Sequence, residues 1–364
     1  MTVNATTLSA GEALRVLRSG WDAQKAGKLT ASWMLHGRPG VGKTEVVQTL
    51  ATHIGADLYD LRLTTIEPQD LRGLPFFDQD TRKTVWYRPE DLPDGDGPAI
   101  LFLDELTAAA PSLQPTVYGL LQERRVGRHR LPDSVMIIAA GNRVEDGAIA
   151  YDMGTALSDR LIHMIVQSDP DDWLKSYAIP AGIHPTVAAF IRTRPDLLET
   201  TEDSLRRGQM IACTPRSWTR VSQIMQAVPD RALRQVMIAG TVGAAPAAEF
   251  ALLADDIAAS LNIADLLATP RGDRAALYPR SLHGLTALAF ALAGSATQDT
   301  MPAAIEILAD LRHLPDTGLP LSELASFGFE LLITRALEKG WADAFATSPA
   351  YADYAADRRA AGLP

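Results

Sequence analysis

Cysteine is almost absent from this chain: Cys213 is the only one. A single cysteine excludes an internal disulfide framework and fits a reducing compartment. Cys213 itself reads as a small buried residue rather than a nucleophile. Also missing is any uninterrupted apolar run of membrane-spanning length, so no transmembrane helix is expected. Met1–Gly11 is polar and lacks the basic-then-apolar order of a signal peptide, which adds to the expectation of a cytoplasmic protein. Positive charge is in deficit, with 34 Lys and Arg against 44 Asp and Glu and a net charge of −10. That balance argues against broad nucleic-acid binding through the outer surface, although it leaves room for a local basic channel. The seven His residues are scattered, with no H-E-x-x-H and no His/Cys pair of metal-ligand spacing. There is no internal repeat and no second phosphate loop. What remains is the composition of a globular protein, 47% hydrophobic and 21% charged. Its 364 residues suffice for two or three domains.

The most informative stretch is Trp33–Val47, which contains G-R-P-G-V-G-K-T, a complete G-x-x-x-x-G-K-T phosphate-binding loop. Gly37, Gly40 and Gly42 let successive backbone N–H groups point at one anion. A helix starting near Lys43 adds the positive end of its dipole. Lys43 is expected to reach the β- and γ-phosphates of a nucleotide, and the Thr44 hydroxyl to coordinate magnesium. The nucleotide-binding stretch is therefore Gly37, Arg38, Pro39, Gly40, Val41, Gly42, Lys43, Thr44 and Glu45. Ser32–His36 reads as the buried strand before it and Glu45–Ile54 as the helix after it. Upstream, Ser9–Arg18 has helical spacing, with Ser9 and Glu12 placed as a capping pair. That helix suits either packing beside an adenine or packing on the sheet alone.

Asp57–Leu63 looks like a second strand, followed by an insert over about 64–97 rich in Pro, Gly and acidic residues. Within it, Leu74–Phe77 and Thr84–Tyr87 flank a polar turn and predict a hairpin. Ala99–Glu105 (A-I-L-F-L-D-E) reads as a strand buried on both faces that delivers two carboxylates at its C-terminal edge. Asp104 is assigned to the magnesium shell and Glu105 to polarising the attacking water. Pro111–Glu123 predicts a helix, Gly127–Pro132 a basic turn, and Ser134–Ala140 a further buried strand ending at Gly141-Asn142. The Asn142 amide offers a donor and an acceptor together, which suits a γ-phosphate and a lytic water. In Ala156-Leu157-Ser158-Asp159-Arg160-Leu161, the permanently charged Arg160 is a candidate arginine finger for a neighbouring subunit. Ile162–Val166 follows as a mostly apolar run.

The set G-R-P-G-V-G-K-T, I-L-F-L-D-E, A-A-G-N, A-L-S-D-R-L and C-T-P-R-S-W resembles the AAA+ ATPases of the MoxR type over roughly residues 1–265. The segment Glu67–Pro75 is similar to the one by which that family places a hairpin toward the centre of its ring. The resemblance implies a homo-oligomeric ring, usually a hexamer, with ATP and magnesium at each subunit interface. It also implies a remodelling or maturation role on a protein client, commonly with a partner carrying a von Willebrand factor A domain. Arg216, just after the capping Thr214 and Pro215, would by resemblance be a second sensor on a lid helix. Whether it serves its own subunit or the neighbour stays open.

The expected architecture is an α/β P-loop NTPase (AAA+) core with a parallel sheet over 1–167, an all-α lid over 168–268 and a helical C-terminal extension over 269–364. Helical patterns are read at Asp169–Ala178, Thr186–Arg192, Leu233–Ile263, Leu282–Ala296, Met301–Leu311 and Leu321–Glu338, with a turn at Pro315–Pro320. The cluster Arg124-Arg125 and Arg128–Arg130 suits an intersubunit ion-pair patch better than nucleic acid. The expected function is Mg-ATP hydrolysis coupled to work on a protein. A nucleic-acid motor or loader of the same fold and a nucleotide-switched assembly scaffold are the rival classes. A metal-inserting chelatase subunit is a closer relative, but no residue here points to a porphyrin or metal substrate.

Overall fold

A computed structural model of the chain describes residues 3–143, 146, 157–315 and 318–360. Ala156 of the segment carrying Arg160, and part of the expected 315–320 turn, lie outside the described residues. The chain divides into two compact units, Met1–Asp169 and Pro170–Pro364.

The first unit is built on a six-stranded parallel sheet in the order β1-β10-β2-β9-β6-β3. The strands are β1 (Thr7–Leu8), β2 (Ser32–His36), β3 (Asp57–Arg62), β6 (Ala99–Asp104), β9 (Val135–Gly141) and β10 (Leu161–Val166). Successive residues of a strand face opposite sides, so the continuous apolar runs of β2, β6 and β9 serve two cores at once. Leu35, Ile100, Phe102, Ile138 and Ala140 enter one core with α1 (Ala10–Lys25) and α2 (Lys43–Ile54). Met34, Leu101, Leu103, Ile137 and Ala139 enter the other with α4 (Gln114–Glu123). Between β3 and β6 the chain forms the short helix α3 (Pro68–Arg72) and an antiparallel hairpin of β4 (Pro75–Asp78) and β5 (Lys83–Trp86).

Helix α1 starts where its capping residues require. Ser9 Oγ accepts from Glu12 N at 3.1 Å, and Glu12 Oε2 accepts from Ser9 N at 2.9 Å. The helix runs past the expected Arg18 to Lys25, because the bare Gly20 lies directly against the Trp33 ring and Trp21 is buried. Helix α4 begins at Gln114 rather than Pro111. The basic turn expected at 127–132 is part of a small antiparallel ladder, β7 (Arg125–Val126) with β8 (His129–Arg130).

Arg124 departs from the surface role expected of it. Its side chain is buried, and Nη2 donates to the carbonyls of Pro132 at 2.9 Å and Val135 at 2.5 Å. The residue closes α4 in a left-handed conformation, φ 54°, and its guanidinium fastens the ladder to the start of β9. Arg125 and Arg130 do stay outside, paired with Glu123 and Asp133.

The second unit is helical. Trp173–Ala178 forms a π-helical turn after a short α turn at Pro170–Asp172, where a single α-helix is expected. The principal helices are α5 (Pro185–Thr193), α6 (Thr201–Arg206), α7 (Pro215–Ala227), α8 (Arg231–Val242), α9 (Ala244–Ser260), α10 (Ile263–Ala268), α11 (Leu282–Ser295), α12 (Met301–Asp310), α13 (Leu321–Lys339), α14 (Asp343–Ala346) and α15 (Pro349–Ala360). Two cores meet along α11 and α13. Ala289, Phe290, Phe327 and Leu331 pack with α5, α7 and α9, whereas Leu288, Leu292, Phe329 and Leu332 pack with α12 and α15. Cys213 is fully buried, and burial pushes its thiol up to about 11, where it is an inert thiol at neutral pH. Among the described residues no helix is long and apolar enough to cross a membrane.

Candidate functional site

The C-terminal edge of a parallel sheet is where its loops converge, and Lys43, Thr44, Asp104, Glu105 and Asn142 collect there in the first unit. β2 ends at His36 and passes directly into the phosphate loop. A Cβ on Gly37 would sit 2.4 Å from the Val166 carbonyl oxygen, so the loop leaves the sheet at a point that admits no side chain. Gly42 takes φ 104°, a conformation L side chains rarely adopt, and releases the chain into α2. No side chain caps α2, so its first-turn N–H groups are left for an anion.

Lys43 is buried, and its Nζ donates to the Gly37 carbonyl at 2.5 Å, the Arg38 carbonyl at 3.0 Å and Asn142 Oδ1 at 3.1 Å. An ammonium has three protons, so these acceptors hold the position that a phosphate oxygen would compete for. Thr44 Oγ1 faces Asp104 Oδ2 at 3.5 Å, with Asp104 at the end of β6. One hydroxyl and one carboxylate fit magnesium, which is held by few protein ligands together with water and phosphate oxygens. Among the described residues no cluster of His, Cys, Asp and Glu forms an all-protein metal cage.

Glu105 follows in a left-handed conformation, φ 59°, and its backbone N–H donates to Asp104 Oδ1 at 2.9 Å. Its carboxylate accepts from Thr64 Oγ1 and lies 3.8 Å from Arg62 Nε. Thr64 and Arg62 are missed by sequence reasoning, since nothing in Thr64-Thr65 distinguishes them from ordinary turn residues. Asp146 is missed as well. Its fully buried carboxylate accepts from the backbone N of Arg143 at 2.7 Å and from Arg143 Nη2 at 2.8 Å, and lies 3.7 Å from Arg38 Nε. It ties the loop after Asn142 to the phosphate loop.

His36 and His163 stack behind that loop with ring centroids 5.1 Å apart. Burial, then the neighbouring His163, Arg143 and Lys43, lower His36 to about 4, so it is neutral at physiological pH.

The structure thus brings together Lys43, Thr44, Asp104, Glu105 and Asn142. It does not join Arg160 to them: Arg160 stands exposed in the turn before β10, and no hydrogen bond or ion pair among the described residues links it to the cluster. Arg216 lies exposed on the first turn of α7 in the second unit, between the buried Pro215 and Ser217. Thr214 caps the helix as expected, and Ser217 completes a capping box with it. A cavity of about 540 Å³ also opens in the second unit, lined by His184, Ile238, Phe250, Ala254 and Leu261, and contains none of the predicted site residues.

A buried lysine at a glycine loop, an uncapped helix start and a hydroxyl–carboxylate pair define a P-loop nucleotide-binding domain of the ATPase class. Residues 32–163 match the ATPase family associated with various cellular activities (AAA). The chain is 27% identical over 178 residues to the Chaperone MoxR1 of Mycobacterium tuberculosis, covering 46% of this chain and 45% of that protein. It is 33% identical over 104 residues to the mouse ATPase family gene 2 protein homolog B, covering 29% of this chain and 12% of that one. The chain therefore spans less than half the length of either relative. Among solved structures, the Thermotoga maritima RuvB Holliday junction branch migration motor aligns over 66% of this chain and 67% of its own, with 14% identity and a TM-score of 0.38. Over residues 32–163 the chain carries an AAA ATPase domain, and in its motifs and sequence it is similar to AAA+ ATPases of the MoxR type.

Proposed function

We propose that the protein hydrolyses ATP to ADP and phosphate in a homo-oligomeric ring, and uses the cycle to remodel or mature a protein client. The observation that carries the catalytic part is the convergence of Lys43, Asn142, Thr44 and Asp104 on one loop, with Glu105 adjacent. Lys43 and the α2 N-terminus bind the phosphates, and Asn142 contacts the γ-phosphate and the lytic water. Thr44 and Asp104 hold magnesium, which neutralises charge on the β- and γ-phosphate oxygens when bound. Glu105 polarises the water. Phosphoryl transfer asks mostly for positioning and charge stabilisation.

The exposed Arg160 completes the site of a neighbouring subunit, and Arg216 couples the helical unit to nucleotide state. The chaperone role is supported by similarity to MoxR1, and a von Willebrand factor A domain partner by the family resemblance. The exposed Phe76, Phe77 and Tyr87 of the hairpin offer an apolar surface for a polypeptide or an adjacent subunit.

Phosphate release is the direct test. Wild type is expected to release phosphate from ATP only with magnesium, and Glu105→Gln to bind ATP but not turn it over. Release that persists in Glu105→Gln would remove the assigned base. Cells carrying Glu105→Gln in place of wild type separate two classes, since a scaffold keeps its function and a remodeller loses it.

A further inference from the structure

Two histidines that the assigned chemistry does not use lie in one hydrogen-bonded line behind the phosphate loop. His36 is the last residue of β2, one peptide before Gly37, and is buried. Its Nε2 lies 2.8 Å from His163 Nδ1 on β10. His163 Nε2 in turn lies 2.9 Å from the Ser158 carbonyl oxygen. A carbonyl only accepts, so His163 carries its proton on Nε2. His163 Nδ1 faces His36 Nε2 across the 2.8 Å contact. The line runs from His36 through His163 to the Ser158 carbonyl, to which His163 donates.

Both rings sit on the same face of neighbouring parallel strands. β10 pairs with β2 so that Ile165 is opposite His36 and His163 opposite Met34, and alternate residues share a face. Ser158 belongs to the turn that carries Arg160, whose backbone N–H donates to the Leu157 carbonyl at 3.1 Å. The turn itself is exposed at Asp159 and Arg160. Its carbonyl at Ser158 is therefore held from inside by a ring that the end of β2 orients.

We propose that His163, oriented by His36, is a positioning residue that fixes the turn presenting Arg160 to the neighbouring subunit, and so ties that presentation to the strand bearing the phosphate loop. The inference rests on the reading of Arg160 as a residue acting on a neighbour. Lys43 holds the Gly37 carbonyl, adjacent to His36. A nucleotide phosphate competing for the Lys43 protons thus acts on the same strand end that anchors the line. The coupling runs through three contiguous contacts rather than through distance alone.

The test uses His163→Asn and His163→Gln in the full chain. Asn places an amide at the Nδ1 position and nothing at the Nε2 position, so it keeps the contact with His36 and loses Ser158. Gln keeps a donor for Ser158 and loses the bond with His36. Both should bind ATP within about twofold of wild type, because their own phosphate-loop contacts are intact. Hydrolysis should fall on the order of a hundredfold in His163→Asn, as for a misplacement of about 1 Å, with His163→Gln in between.

The decisive arm is mixing. A His163→Asn subunit has a sound site but presents its arginine badly, whereas a Glu105→Gln subunit presents Arg160 normally and has a dead site. Mixed one to one, they should recover hydrolysis to the same extent as Arg160→Ala mixed with Glu105→Gln. No recovery with His163→Asn, while the Arg160→Ala mixture recovers, would place His163 in its own subunit's chemistry and overturn the proposal. Wild-type hydrolysis by His163→Asn alone would also overturn it. If the Arg160→Ala mixture does not recover either, the reading of Arg160 fails, and the inference falls with it.

Discussion

Gly37→Ala is the sharpest single test of how the phosphate loop is mounted. The added Cβ would lie 2.4 Å from the Val166 carbonyl oxygen, a backbone atom that no rotamer change can move. Reaching ordinary contact requires β2 and β10 to part by about 1 Å at their C-terminal ends. Overpacking of that kind costs about 1–3 kcal/mol. In a unit of this size each kcal/mol lowers the melting temperature by roughly 2–4 °C, so a drop of roughly 2–12 °C is expected. Function should suffer more than stability, because Lys43 is anchored on the Gly37 carbonyl at 2.5 Å, and a shift of about 1 Å at a catalytic group can cost on the order of a hundredfold in rate. The assay is a calorimetric melt paired with phosphate release. Gly95→Ala, which meets open space, serves as the control. A Gly37→Ala variant that melts and hydrolyses like the control would refute the crowding argument.

Arg124→Ala removes a buried guanidinium that holds two carbonyls; it should cost about 2–3 kcal/mol in urea unfolding and leave turnover per folded molecule unchanged. His36 gives a pH signature. Its folded value is about 4 against 6.5 unfolded, so the unfolded chain binds the proton first and stability falls as pH drops through that window. Between pH 7 and 5 the loss is about 2 kcal/mol. Urea midpoints at the two pH values should therefore differ more for wild type than for His36→Gln, and equal differences would remove His36 as the cause. Thr44→Ala and Asp104→Asn should each raise the magnesium concentration for half-maximal hydrolysis by about tenfold or more, read by metal titration of the rate.

What the sequence discloses here is what local chemistry dictates. G-R-P-G-V-G-K-T carries its own turn and helix start, and I-L-F-L-D-E carries its own burial and its two carboxylates. The hairpin at Pro75–Asp78 and Lys83–Trp86 is legible because Asp78 and its neighbours make the turn from adjacent residues; Asp78 accepts from Asp80 N and from Thr81. Contacts made across the sheet are not legible. His36 meets His163 from 127 positions away, and only the strand order β10-β2 brings them together. Asp146 and Thr64 are likewise ordinary loop residues until tertiary structure sets them against Arg38 and Glu105. Arg124 reads as one of a basic run, yet the left-handed end of α4 turns it inward, away from Arg125 and Arg130.

A site completed by a neighbouring subunit makes specific ATPase activity depend on protein concentration. Molar mass by light scattering is recorded on the same samples, with and without ATP and magnesium. The expected result is a nucleotide-dependent ring whose activity per subunit rises with concentration and is lost in Arg160→Ala. A monomer that turns over at a concentration-independent rate, with Arg160→Ala unimpaired, would contradict it.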